Sequence, residues 1–218
     1  MIRLRGVTKS YPTAAGRRYV LRRVDLDIPS GFNVAILGRN GAGKSTLLRL
    51  LAGIDYPEEG EIVTACRISW PVALTGGLQG SLTGRENARF VCRIHDGSRA
   101  EVARRIAFVE AFAELGPYFD EPVRTYSSGM RSRLSFGLSM AFEFDYYLID
   151  EVTAVGDPSF REKCRLIFEA RRARSRFIMV SHNMKALRQS CDIAVVLGDG
   201  RAELFDDLEA AIDVYQAG

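Results

Sequence analysis

Gly38-Arg39-Asn40-Gly41-Ala42-Gly43-Lys44-Ser45-Thr46 lies between an apolar run, Phe32 to Leu37, and a helical pattern carried by Leu47, Leu48, Leu50 and Leu51. The stretch has the form G-x-x-x-x-G-K-S in a strand–loop–helix setting, which is the context a phosphate-binding loop requires. Glycines let successive backbone N–H groups turn inward around a phosphate, and the start of the following helix adds positive potential. Gly38, Asn40, Gly41, Gly43 and Thr46 are therefore expected to hold a nucleoside triphosphate. Lys44 is expected to reach its terminal phosphates, and the Ser45 hydroxyl to serve as a Mg²⁺ ligand. The expected ligands are a nucleoside triphosphate and Mg²⁺; which triphosphate, the loop does not say.

Working outward, the whole chain of 218 residues, 47% hydrophobic, suits one large α/β domain or two small ones. No apolar run is long enough to cross a bilayer. The N-terminus, Met1-Ile-Arg-Leu-Arg5, lacks the apolar core of a secretory signal, so the expectation is a chain that stays in the cytosol. Cys66, Cys92, Cys164 and Cys191 stand alone, which favours reduced, mostly buried thiols over zinc. A net charge of +3 is too small to call for nucleic acid. Arginines do gather at Arg171, Arg172, Arg174 and Arg176, and again at Arg99, Arg104 and Arg105. Solvated helix faces are the usual meaning of such groups, with a phosphate-rich or membrane-surface partner as the alternative.

Ile2 to Val7 and Val24 to Ile28 alternate as half-buried strands do. Asp55 to Gly60 is a turn cluster, and from about Thr83 to Phe142 the period becomes helical. Tyr146–Ile149, Phe177–Val180 and Ile193–Leu197 are compact apolar runs separated by helical stretches, the pattern of a parallel sheet covered on both faces. The first of these runs continues into Asp150 and Glu151. At a strand end beside a phosphate loop, Asp150 is expected to hold Mg²⁺, and Glu151 to orient and polarise the attacking water. Ser127-Ser128-Gly129 precedes a helical pattern through Leu134, Leu138 and Phe142, which makes a helix start with exposed N–H groups.

With these motifs in this order, the chain resembles the nucleotide-binding subunits of ATP-binding-cassette (ABC) transporters over nearly its whole length. The resemblance implies a P-loop NTPase fold: α/β, with a mostly parallel sheet core, an N-terminal antiparallel β part and an inserted helical subdomain. The core is expected at about 1–82 and 144–218, with the insertion at about 83–143. Tyr126 to Met130 is similar to the family signature, so Ser127, Ser128 and Gly129 are implied to contact ATP held by a partner subunit. Ala154-Val-Gly-Asp157 is similar to the Asp loop. Ser181-His182-Asn183 resembles the switch region, which makes His182 a γ-phosphate contact. Tyr11 resembles the aromatic residue on which adenine stacks, with Tyr19 as the alternative.

The glutamine loop departs from the family pattern. The usual position falls near Leu74, and the nearby glutamine is Gln79, within Gly76-Gly-Leu-Gln-Gly80. Gln79 is either a Mg²⁺ contact reached by another path or a surface loop residue. Ile68-Ser-Trp-Pro71, Thr75 to Asn87 and the signature Tyr126 to Arg133 are similar to subunits that export capsular polysaccharide from Gram-negative bacteria. That branch implies a homodimer on the cytoplasmic face of the inner membrane, attached to two membrane-spanning permease subunits. A signature helix far along the insertion cannot readily reach its own phosphate loop, whereas a head-to-tail partner can supply it. Export of O-antigen or teichoic acid, a soluble ABC ATPase acting on DNA or the ribosome, and a regulatory module that binds ATP without hydrolysing it are the alternatives.

Overall fold

The computed structural model describes residues 1–14, 16–73, 75–95, 98–150 and 157–217. In the first half of the chain the elements are β1 (Ile2–Thr13), β2 (Gly16–Ile28), β3 (Val34–Gly38), α1 (Lys44–Leu51), β4 (Glu59–Thr64), β5 (Ile68–Pro71), α2 (Gly84–Ile94) and α3 (Arg99–Ala113). They continue as α4 (Ser128–Met140), β6 (Tyr146–Asp150), α5 (Pro158–Arg172), β7 (Arg176–Val180), α6 (Met184–Ser190), β8 (Ile193–Gly198), β9 (Arg201–Phe205) and α7 (Leu208–Ala217). They fall into two compact units. One comprises Met1–Pro71, Phe144–Glu151 and Arg174–Gly218; the other comprises Val72–Glu143 and Val152–Ala173.

The first unit holds two sheets. Alternation along β1 and β2 buries Ile2, Leu4, Leu21, Val24, Leu26 and Ile28, and the strands pair antiparallel from Ile2↔Ile28 to Thr13↔Gly16. With β4 they form a sheet of order β2-β1-β4. The second sheet has the order β5-β6-β7-β3-β8-β9, parallel except for β9, which runs antiparallel to β8. Its inner strands are buried along nearly their whole length, which is why they read as unbroken apolar runs. Leu47, Leu48, Leu50 and Leu51 of α1 join residues of both sheets in one core. This is the fold class expected from the sequence.

β4, β5 and β9 were not anticipated. β4, Glu59-Gly-Glu-Ile-Val-Thr64, lies at a sheet edge with only Ile62 partly buried, so no apolar period marks it. β9 is likewise an edge strand, and its side chains are exposed or half-buried.

The second unit is helical. Thr83 and Glu86 form a capping box at the start of α2, and Ser98, Ser127 and Asp157 cap α3, α4 and α5. Its core is aromatic. Phe112 stacks on Phe136 at 5.6 Å and meets Phe160 edge-on at 5.5 Å, while Phe168 meets Phe136 edge-on at 5.2 Å.

Candidate functional site

The turn from β3 into α1 is built by glycine. Gly43, the N-cap of α1, sits at φ 102°, and a Cβ there would lie 3.0 Å from the Val20 side chain. At Gly38 a Cβ would come within 2.7 Å of the Leu197 carbonyl oxygen. A larger residue at either position would therefore displace the loop from the sheet. No side chain caps α1, so its first N–H groups remain available to an anion. Lys44 Nζ donates to the carbonyls of Gly38 at 2.7 Å and Arg39 at 3.1 Å, which places the ammonium across the loop. Arg18 Nη2 donates to the Gly41 carbonyl at 2.8 Å. Spacing in the sequence gave no sign of this brace, because Arg18 belongs to a different strand. Asn40 and Ser45 are exposed on the loop and the first helical turn.

The sheet order then brings distant residues to one edge. β6, β7 and β3 are adjacent and parallel, with Asp150 opposite Val180 and Val180 opposite Ile36. Asp150, half-buried at the end of β6, therefore shares the carboxyl edge with the loop after Gly38. His182 stands exposed two residues beyond β7, where the Asn183 side chain caps α6 by accepting from the Ala186 N–H at 3.2 Å. Carboxyl ends of parallel strands are where α/β sheets receive ligands. Glu151, the expected partner of the attacking water, lies outside the described residues, as do Leu74 and Ala154 to Gly156.

Tyr11 is fastened to α1. Its hydroxyl accepts from Arg49 Nη2 at 2.9 Å and lies 3.2 Å from the buried Thr46 hydroxyl. Asp55 accepts from the Tyr11 hydroxyl at 3.4 Å and from Lys9 Nζ at 2.6 Å. The hydrogen bond from Lys9 holds the Asp55 carboxyl below the usual carboxylate range. Arg49 was missed in the sequence, although its place three residues after Thr46 puts the two on one helix face. Tyr19, the alternative aromatic residue, instead carries the Arg22 guanidinium over its ring at 4.5 Å. It opens on a groove of about 920 Å³ beside the loop, also lined by Arg18, Asn40, Leu197 and Tyr215.

The helical unit carries the remaining expected residues. Ser127 Oγ accepts from the Met130 N–H at 3.2 Å, which fixes the first turn of α4. Ser128 and Gly129 lie in that turn, and a Cβ at Gly129 would meet only Ser127 Oγ, at 3.8 Å. Asp157 accepts from the Ser159 hydroxyl at 2.6 Å, from the Phe160 N–H at 3.0 Å and from Arg133. The Ser159 bond, followed by those of Phe160 and Arg133, holds its carboxyl well below the usual range. Gln79 is exposed, and its backbone is clamped by the buried Asn87: Gln79 N–H donates to Asn87 Oδ1 at 2.8 Å, and Asn87 Nδ2 donates back to the Gln79 carbonyl at 3.1 Å.

Residues 21–154 match the family model described as ABC transporter. The chain is 55% identical to the polysialic acid transport ATP-binding protein KpsT of Escherichia coli, over 99% of both chains. It is 49% identical to the capsule polysaccharide export ATP-binding protein CtrD of Neisseria meningitidis, over 100% of this chain and 99% of the relative. Among solved structures, it superposes with a TM-score of 0.74 on a dimeric ATP-binding cassette in a post-hydrolysis state bound to ADP and phosphate. That match has 26% identity and covers 93% of this chain and 97% of the other.

Proposed function

The chain belongs to the ABC transporter family, and from that premise we propose that it is the ATP-hydrolysing subunit of a transporter that exports capsular polysaccharide or a related cell-surface glycan. One observation carries the chemistry: the phosphate loop, Asp150 and His182 stand at or just beyond the carboxyl ends of three adjacent parallel strands and so share one sheet edge. Similarity of about half of all residues to capsule and polysialic acid exporters, across whole chains, supports the cargo class.

In this reading the α1 N-terminus and the loop N–H groups bind the β- and γ-phosphates of ATP, while Lys44 moves its ammonium from the loop carbonyls to phosphate oxygens. Tyr11 stacks on adenine, held in place by Arg49. Glu151 accepts the proton of the water that attacks the γ-phosphorus; the bond to the bridging oxygen breaks, and ADP and phosphate result. His182 contacts the γ-phosphate. The Ser45 hydroxyl and Asp150 carboxylate are hard oxygen donors suited to Mg²⁺, which would neutralise phosphate charge.

Two copies bind head to tail, so that Ser127, Ser128 and Gly129 of each face the nucleotide of the other, with Asp157 in the Asp loop beside them. No helix among the described residues is long and apolar enough to cross a membrane. In this reading the dimer works peripherally, on the cytoplasmic face of the inner membrane, against two permease subunits.

The test is restoration of surface capsule in a strain lacking its own ATP-binding export subunit. The chain should restore capsule and Lys44→Ala should not. The substitution removes a charge-assisted phosphate contact of about 2 kcal/mol, roughly thirtyfold in ATP affinity. Capsule restored by Lys44→Ala, or no capsule restored by the parent chain, would sink the proposal.

A further inference from the structure

The chain entering α4 is fastened to the start of α2 by its backbone and by one side chain. Val123 N–H donates to the Leu82 carbonyl at 2.9 Å and Arg124 N–H to the Gly80 carbonyl at 2.8 Å. Thr83 and Pro122 pair beside them as an antiparallel bridge. A third segment, Gly116–Asp120, is tied to α2 through Arg85, which donates to Asp120 at 2.7 Å and lies over the Phe119 ring at 4.8 Å. Tyr126 sits where the three segments meet. It is 3% exposed, and its hydroxyl donates to the Tyr118 carbonyl at 2.6 Å.

Gly84 makes room for that hydroxyl. A Cβ on Gly84, the first residue of α2, would lie 2.5 Å from the Tyr126 oxygen, closer than a side chain can come. Gly84 is not in the left-handed region, so contact rather than backbone conformation calls for glycine here. Its N–H is one that the helix itself leaves without a partner. Burial raises the Tyr126 phenol above its ordinary range, against a backbone hydrogen bond from Gly84, so the hydroxyl keeps its proton for Tyr118 at neutral pH.

The backbone is extended at both Tyr126 (φ −73°, ψ 143°) and Ser127 (φ −64°, ψ 165°). Successive side chains in that conformation diverge by about a third of a turn. Tyr126 is accordingly buried while Ser127 is exposed. Seating the phenol thus fixes the direction of Ser127, one Cα–Cα step of about 3.8 Å away. We propose that Tyr126 is a positioning residue for the shared nucleotide site: its hydroxyl, fitted against Gly84, holds Ser127 to Gly129 in the orientation that receives the ATP of the partner subunit. A phenyl ring would fill the same core, so packing alone does not call for the oxygen. The inference rests on the head-to-tail reading above.

The experiment is light scattering of Glu151→Gln with ATP over a series of protein concentrations. Adding Tyr126→Phe should raise the dimer dissociation constant about tenfold, since each dimer contains two such turns. ATP affinity of the monomer, read with a fluorescent analogue at low protein concentration, should keep its parental value. Gly84→Ala should match the loss by displacing the hydroxyl, although alanine favours a helix over glycine. With Gly84→Ala and Tyr126→Phe together the losses should not add, because both remove one contact. A urea melt identifies a merely structural role: a lowered midpoint with an unchanged dimer constant would overturn the proposal, as would additive losses. A Glu151→Gln dimer that Gly129→Asp abolishes and Tyr126→Phe leaves at parental affinity would overturn this inference alone. Absence of any ATP-dependent dimer would overturn the shared site and the positioning role with it.

Discussion

Tyr11 illustrates how much of a nucleotide site can depend on residues that never touch the nucleotide. Its ring is the proposed adenine platform, yet what orients it is a hydroxyl held by Arg49 Nη2 at 2.9 Å and by Thr46 and Asp55. Arg49 is thereby a positioning residue. Arg49→Ala should leave Lys44 and the loop intact while lowering ATP affinity about fivefold, the effect of one hydrogen bond of about 1 kcal/mol. Tyr11→Phe should fall to a similar level, and in the double variant the two losses should not add. Titration of the four proteins with a fluorescent ATP analogue decides the matter. Additive losses would show that Arg49 acts elsewhere.

At the scale of elements, the loop before α2 behaves as part of the helix that follows it. Asn87 is buried on α2 and meets both backbone polar groups of Gln79, so the glycines around Gln79 do not leave that residue's backbone free. Asn87→Ala would strip those partners and should cost about 1–3 kcal/mol in a urea melt. Gln79→Ala keeps the clamp and should cost under about 0.5 kcal/mol. If the exposed Gln79 side chain links nucleotide to permease, Gln79→Ala should also lower transport-coupled hydrolysis more than basal hydrolysis. Unchanged coupling would make Gln79 an ordinary surface residue.

For the whole molecule, the prediction concerns assembly. Glu151→Gln keeps the shape of the side chain but cannot take up a proton, so ATP should bind, persist and hold two subunits together. Light scattering should then show a dimer that forms only with ATP. Gly129→Asp makes a clean companion, because within the subunit a Cβ there has room. The variant should fold, yet place a carboxylate against the nucleotide phosphates of the partner and abolish the dimer. A dimer that forms without ATP, or that ignores Gly129→Asp, would refute the shared site.

The sequence by itself determined the phosphate loop, because its chemistry is local: nine consecutive residues contain the glycines, the lysine and the helix start. It also revealed β3, β6, β7 and β8, since strands covered on both faces must be apolar throughout. The edge strands β4 and β9 escaped notice because burial, and hence apolar pattern, is slight at an edge. Tertiary structure alone decided which strands are neighbours. The order β6-β7-β3 is not the chain order, and only that order sets Asp150 and His182 on the edge that bears the loop. It likewise decided which arginines are paired. Arg99 and Arg104 look alike in the sequence, but one lines an unpaired groove and the other closes on Glu101, because a charge finds its partner in space.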